Sequence, residues 1–175
     1  MNEIAILGGG CFWCTESVFL SVRGVSEVTS GYSGGHVENP SYEQVCAKNT
    51  GHIEVVRVMF DPAVIDYEAI LEIFFGTHDP TTLDRQGGDV GPQYASAIFC
   101  QSAEQRAVAE KVIANVEAEL GQKVVTKVLD AERFWPAEQY HHDYYTRNPN
   151  QGYCQVVISP KLSKFRQRFA QYLRA

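Results

Sequence analysis

The sequence predicts an α+β fold of the ferredoxin-like kind: a two-layer α/β sandwich with long wrapping loops and a C-terminal helix. Three observations carry this expectation. Apolar runs and helical stripes follow one another in the order β-α-β-β-α-β, with an added α-β. Two turn-rich stretches, 33–52 and 77–93, are longer than ordinary connections. A last stripe, Leu162, Phe165, Phe169 and Leu173, lies opposite Lys161, Lys164, Arg166, Arg168 and Arg174, as on the buried and wet faces of one helix. The 175 residues suit a single domain spanning 1–175.

Each element has its own signal. Ile4 to Leu7 is an apolar run closed by Gly8-Gly9-Gly10, read as a buried strand. Cys11 to Val22 reads as a helix with Val18, Phe19 and Val22 on one face. Val25 to Tyr32 and Ile53 to Phe60 read as strands, joined by the turn-rich loop Ser33 to His52. Asp66 is a candidate N-cap for a helix with Tyr67, Ile70, Leu71, Phe74 and Phe75 on one stripe, ended by Gly76. The long loop Thr77 to Gln93 leads to a strand, Tyr94 to Cys100. Ser102 with Gln105 resembles a capping box for a helix to Leu120, which Gly121 stops. Lys123 to Leu129 is a further strand, and Asp130 to Ser159, aromatic and weakly periodic, reads as wrapping loops.

Composition narrows the function. A formal net charge of -6 argues against nucleic acid or an anionic membrane as the main partner. No apolar run approaches the roughly 18 residues of a membrane span. No secretory signal is visible, so the expected location is cytoplasmic. The five cysteines then need an account other than stable disulfides, either as small core residues or as redox groups. A monomer is the default expectation.

The richest segment is Gly8-Gly9-Gly10-Cys11-Phe12-Trp13-Cys14-Thr15-Glu16. A strand entering a helix through glycines puts Cys11 at the first helical turn. Free backbone N–H groups and the positive dipole end stabilise a thiolate there, which predicts a depressed Cys11 pKa. The alternative is a buried structural cysteine. Cys11-x-x-Cys14 also admits a dithiol couple. A dinucleotide fingerprint fails because Trp13 stands where a third glycine is needed. A zinc site lacks a second paired-cysteine motif, and His52-x-Glu54 is not followed by the Pro-Cys-x-x-Cys of zinc deaminases. Alternation in Ile53 to Phe60 puts Glu54 on the face of Val56 and Val58. A carboxyl among apolar neighbours keeps its proton toward neutrality and can donate it. A strand-end glutamate turned to solvent is the other reading. Tyr42, Tyr94 and Asp89 sit in or beside the two long loops, where ring packing competes with chemistry. His141 and His142 receive no role. Cys46 and Cys100 read as packing residues.

Six motifs then follow in order: Gly10-Cys11-Phe12-Trp13, Tyr42-Glu43-Gln44-Val45, Gly51-His52-x-Glu54, His78-Asp79-Pro80-Thr81, Asp89-Val90-Gly91-Pro92-Gln93-Tyr94 and Gly152-Tyr153-Cys154. Together they resemble the A family of peptide-methionine sulfoxide reductases from about residue 4 to 154. The resemblance implies a ferredoxin-like core in one catalytic domain, reduction of the S epimer of methionine sulfoxide, free or in proteins, and thioredoxin as reductant. It implies that Cys11 is the attacking thiolate and that Phe12 and Trp13 form the methyl pocket. It makes Glu54 the acid, with Tyr42 and Tyr94 bonded to the sulfoxide oxygen and Asp89 ordering the site through water. Cys154 is the recycling thiol by the same resemblance. Cys14 stands where relatives often have Gly, and Ala95 where they commonly have Arg. This chemistry needs no metal or organic cofactor. Protonating the sulfoxide oxygen makes the sulfur a better electrophile, so an acid beside a thiol suits it. A sulfenic acid on Cys11 would then condense with Cys154 to a disulfide. The competing expectations are a dithiol–disulfide oxidoreductase or a redox sensor using Cys11 and Cys14. Neither needs an acid and hydroxyls around the thiol.

Overall fold

The computed structural model describes residues 2–148 and 150–174. β1 (Glu3–Gly9) passes through Gly10 into α1 (Phe12–Leu20), and β2 (Val25–Ser33) returns along the sheet. A short α2 (Tyr42–Cys46) precedes β3 (Ile53–Phe60), and α3 (Tyr67–Gly76) follows it. A small hairpin of β4 (Arg85–Gln86) and β5 (Asp89–Val90) stands before β6 (Ser96–Cys100). α4 (Ala103–Leu120) crosses to β7 (Lys127–Asp130). Then come β8 (Trp135–Pro136), α5 (Tyr144–Arg147), a π-helical turn at Cys154–Ile158 and α6 (Ser159–Arg168).

The main sheet has the order β7-β6-β1-β3-β2-β8. β6, β1, β3 and β2 are antiparallel neighbours, so each helical crossover of the predicted β-α-β-β-α-β unit leaves one strand between the strands it joins. The fold is therefore α+β as expected. β7 adds parallel to β6 through α4, and β8 extends the edge beyond β2. β3 is buried on both faces, because the helices cover one side and loops the other. Val56 and Val58 join Phe19, Ile70 and Phe74 in the larger core, whereas Ile53 and Val55 meet Phe99 and the half-buried Phe134 of the wrapping loop. Burying such a side chain contributes about 1.5–3 kcal/mol, so this central strand is held firmly. Glu54 lies on the helix side with Val56 and Val58, under the start of α1.

The helix caps follow their local chemistry. The Asp66 carboxylate accepts the Ala69 N–H, and the Ser102 hydroxyl accepts the Gln105 N–H. Gln105 does not close the expected box: its amide oxygen accepts from Gln101 N–H, and its NH₂ donates to the Ile4 carbonyl. Gly121 takes the left-handed conformation, φ 67°, that ends α4. Gly76 is the last residue of α3, and Thr77 closes it.

Several expectations are corrected. The loop Ser33 to His52 contains α2, whose capping box between Ser41 and Gln44 is complete; five residues are too few for a periodic signal. The 77–93 loop holds the β4–β5 hairpin. Tyr94 ends a 3-10 turn, Pro92–Tyr94, so β6 begins at Ser96. β7 starts at Lys127 rather than Lys123, because the Val124 and Val125 N–H groups donate to Glu117 and Pro80 instead of to a strand. The stretch from Asp130 to Ser159 is not all loop: Cys154 sits in a helical turn continuous with α6, and Pro149 upstream of it lies outside the described residues. The wider π turn breaks the 3.6-residue period by which a helix is recognised. α6 buries Leu162 and Phe165 as the stripe predicts but ends at Arg168: Phe169 caps it, and Leu173 pairs with Val22 in an isolated bridge instead of continuing the helix. No helix among the described residues is long and apolar enough to cross a membrane.

Candidate active site

Gly10 turns the chain between β1 and α1 at φ +95°, and a Cβ there would meet Gln86 Cγ at 2.5 Å. Glycine thus allows the hairpin to close against the start of α1. Cys11 is the N-cap of α1, and its carbonyl accepts the Cys14 N–H at 3.1 Å. Its side chain caps nothing. The Phe12 N–H, one of the free donors of the first turn, is used by Glu54 Oε1 at 3.1 Å. A carboxyl rather than a thiolate therefore occupies this donor. The expectation of a depressed Cys11 pKa is corrected. Burial pushes the thiol well above its usual value, reinforced by the neighbouring Cys14 thiol and the Glu54 carboxyl.

Glu54 is 1% exposed, which removes the reading of a solvent-facing glutamate. Burial raises its pKa to about 8, against the Phe12 N–H, which favours the charged form. Oε2 is buried with no hydrogen-bond partner, so the protonated carboxyl has an O–H free to donate. Tyr42 and Tyr94 are near enough to feel the charge of Glu54. Burial first, and that charge second, hold both phenols above their usual range, so they stay O–H donors.

Phe12 is buried in the core against Tyr32, and Tyr42 lies near it with ring centroids 6.2 Å apart. Trp13 is half-buried, and its indole N–H donates to His141 Nδ1 at 3.0 Å. Tyr144 stacks on Trp13, with ring centroids 3.9 Å apart and planes 5° from parallel, and Tyr153 meets it edge-on. His141 had no predicted role. It is buried and packs between Phe12, Tyr42 and Trp13.

Asp89 Oδ2 accepts the Tyr153 hydroxyl at 2.6 Å, joining β5 to the segment that carries Cys154. The same hydroxyl lies 3.8 Å from Cys14 Sγ. Cys11, Cys14, Cys154 and Ile158 form one buried cluster with Tyr94, Tyr144 and Tyr153 packed around it. All five cysteines are free thiols. Cys14 is the acidic member. Interaction with the Cys11 S–H, together with Lys161 and the Tyr153 hydroxyl, outweighs burial and lowers it to about 7. A cavity of about 860 Å³ opens on Cys11 and Cys14 between the hairpin and α6, with Asp89, Tyr153 and Lys161 in its wall. Phe12, Trp13, Tyr42, Glu54 and Tyr94 are not among the residues lining it.

Of the eight predicted residues only Cys11 and Asp89 line this cavity; Cys154 and Tyr94 pack with Cys11 and Trp13, Glu54 bonds the Phe12 N–H, and Tyr42 lies against Phe12 and Trp13. The structure also adds residues that sequence reasoning missed. Gln86 exchanges hydrogen bonds with the Asp79 backbone and so ties the hairpin to the preceding loop. Glu16, buried on α1, accepts the Asp143 N–H at 2.6 Å and anchors the chain entering α5. Burial lifts its pKa to about 7. A buried acid on a helix otherwise rich in apolar residues was the available signal. His52 is structural: its ring bonds the Gly35 N–H and the Val37 carbonyl. His78 bridges Phe74 and Ser96, and burial keeps it neutral with a pKa of about 4. Cys100 is buried as expected, whereas Cys46 is half-buried at the end of α2. No group of three or more His, Cys, Asp or Glu among the described residues is placed to hold a metal ion.

Comparison with known proteins agrees with this geometry. The family described as peptide methionine sulfoxide reductase matches residues 3–173. A relative in Ralstonia nicotianae, named peptide methionine sulfoxide reductase MsrA, is 58% identical over 99% of this chain and 94% of its own length. Another of the same name, in Chromobacterium violaceum, is 56% identical over 98% of this chain and 99% of its own. Among solved structures, reduced Mxr1 from Saccharomyces cerevisiae superposes with a TM-score of 0.81 at 30% identity, covering 87% of this chain and 89% of that one. Methionine sulfoxide reductase A of Corynebacterium diphtheriae gives 0.80 at 31% identity, over 86% and 76% of the two chains. Mxr1 in complex with Trx2 shares the fold with a TM-score of 0.57 at 21% identity, over 82% of this chain and 84% of that one. The chain belongs to the peptide methionine sulfoxide reductase family, and it is an enzyme of the MsrA type.

Proposed function

We propose that this single catalytic domain reduces the S epimer of methionine sulfoxide, free or in proteins, through a sulfenic acid on Cys11 and a Cys11–Cys154 disulfide recycled by thioredoxin. The observation that carries the reading is Glu54, a buried carboxyl that keeps its proton near neutrality and has one oxygen unpartnered beside the Cys11 turn. Glu54 protonates the sulfoxide oxygen while the Tyr42 and Tyr94 hydroxyls bond it. Cys11 attacks the sulfur as its proton leaves. The oxygen passes to Cys11 with the proton that Glu54 supplied, Cys11 loses the two electrons that the sulfoxide sulfur gains, and the thiol proton returns to Glu54. Phe12 and Trp13 take the methyl group, and Asp89 orders the site. The hydroxyl then leaves as water with a thiol proton, and the oxidation comes to rest in the Cys11–Cys154 disulfide. A thioredoxin-type dithiol opens it by exchange. Solution of Mxr1 in complex with Trx2 supports that choice of reductant. The enzyme works as a cytoplasmic monomer in the repair of oxidised protein.

The test is thioredoxin-driven turnover measured separately on the two epimers, with Cys154→Ser alongside the parent. Turnover on the S epimer alone is expected. Cys154→Ser should release one equivalent of methionine and then stop. Equal use of the R epimer would overturn the substrate assignment, and continued turnover of Cys154→Ser would overturn the role of Cys154.

A further inference from the structure

Two thiols lie within reach of Cys11, and they are held differently. Cys14 is one helical turn away on α1, and both thiols belong to the same rigid element. Cys154 belongs to the segment that covers the site. Two rings that precede it in sequence, Tyr144 and Tyr153, both rest on Trp13. A methyl group cannot lie on that face of Trp13 while Tyr144 stacks there at 3.9 Å, since carbon atoms in contact are already about 3.5–4.0 Å apart. A methyl group seated on that face of Trp13 would displace Tyr144 and the segment that carries it. Cys154 would then stand away from Cys11 when the sulfenic acid forms. Cys14 would not.

We propose that Cys14 captures the Cys11 sulfenic acid first, as a transient Cys11–Cys14 disulfide, and that Cys154 then displaces Cys14 from it. In the first step the Cys14 sulfur bonds to the Cys11 sulfur, the S–O bond breaks, and the hydroxyl leaves with the Cys14 proton as water. In the second step the Cys154 thiolate attacks the Cys11 sulfur and Cys14 leaves as a thiolate. No further oxidant or reductant enters, because the sulfoxide has already taken the two electrons. The chemistry of Cys14 suits the second step above all. With the covering segment closed, the Cys11 thiol first, then Lys161 and the Tyr153 hydroxyl, outweigh burial and lower Cys14 to about 7, and a thiol of that acidity leaves readily when Cys154 returns. The packing agrees. Cys11, Cys14 and Cys154 share one buried cluster, and Cys14 Sγ lies 3.8 Å from the hydroxyl of Tyr153, the residue before Cys154. The advantage is protection, since a sulfenic acid left waiting is open to irreversible oxidation.

This inference rests on Cys11 being the thiol that takes the sulfoxide oxygen, and its test separates the two. Reduced Cys154→Ser is mixed with one equivalent of the S sulfoxide, quenched with an alkylating agent and mapped by peptide mass, with methionine measured in the same sample. Release of methionine together with a Cys11–Cys14 disulfide is expected. Methionine released with Cys14 still alkylated, and Cys11 trapped by a sulfenic-acid reagent, overturns the relay alone. Absence of methionine overturns the reading on which it rests. In the parent, Cys11–Cys14 should appear before Cys11–Cys154, and the reverse order contradicts the proposal. Cys14→Ser should raise sulfenic-acid trapping on Cys11 by about tenfold, because the captured species now waits for the covering segment. Unchanged trapping contradicts it.

Discussion

At Glu54 one carboxyl oxygen accepts the Phe12 N–H and the other has no partner, so the residue can hold position while its proton remains available. Glu54→Gln keeps the shape and the acceptor but removes the acid. Single-turnover methionine release should slow by about 10²–10⁴-fold with the fold intact. The sign of the pH dependence follows from its raised pKa of about 8. The donating form is present below that value, so the parent's chemical step should weaken as pH rises through it. The same limb should vanish in Glu54→Gln, and a limb that survives would assign it to another group. The position of Glu54 was legible, because strand alternation alone put it with Val56 and Val58. The state of Cys11 was not. Its place at the helix start was read correctly, but nothing local shows that a carboxyl 43 positions along the chain takes the first-turn donor and that burial raises the thiol.

Among the elements, the β4–β5 hairpin has the least core of its own and depends on close approach to the start of α1. Gly10→Ala would combine a strained φ of +95° with a collision against Gln86 Cγ and Cβ, near the root of that side chain. A loss of about 1–3 kcal/mol is expected in urea unfolding, together with reduced turnover as Asp89 is carried away from Tyr153. Unchanged stability would show that the hairpin yields freely. The hairpin, α2 and the helix around Cys154 were the illegible parts of the fold. Two-residue strands and a five-residue helix are too short to establish a period, and the π turn at Cys154–Ile158 hides one. β3, α3 and the stripe of α6 were legible because long amphipathic or apolar patterns report burial directly.

For the whole molecule, two buried carboxyls couple folding to protons. Glu16 and Glu54 have folded values of about 7 and about 8, against an ordinary 4.5. The folded chain therefore holds protons that the unfolded chain has shed above that ordinary value. Their contribution to stability is complete below it and is lost as pH rises through 7 and 8. Urea midpoints should fall between about pH 5 and 8, and Glu16→Gln should flatten that fall. A midpoint rising with pH over this window, or an equal slope in the variant, would count against the buried acids. The same enclosure that raises these acids closes Tyr144 over Trp13 and packs three thiols together, a long-range assembly that no single motif spells out. The most direct test of the chemistry is one turnover without any reductant. Fully reduced protein is mixed with an equal amount of the S sulfoxide, and methionine is counted. One equivalent from the parent and none from Cys11→Ser is the predicted result, because a hydroxyl is a far weaker nucleophile than a thiol; an equivalent of methionine from Cys11→Ser would contradict the account at its centre.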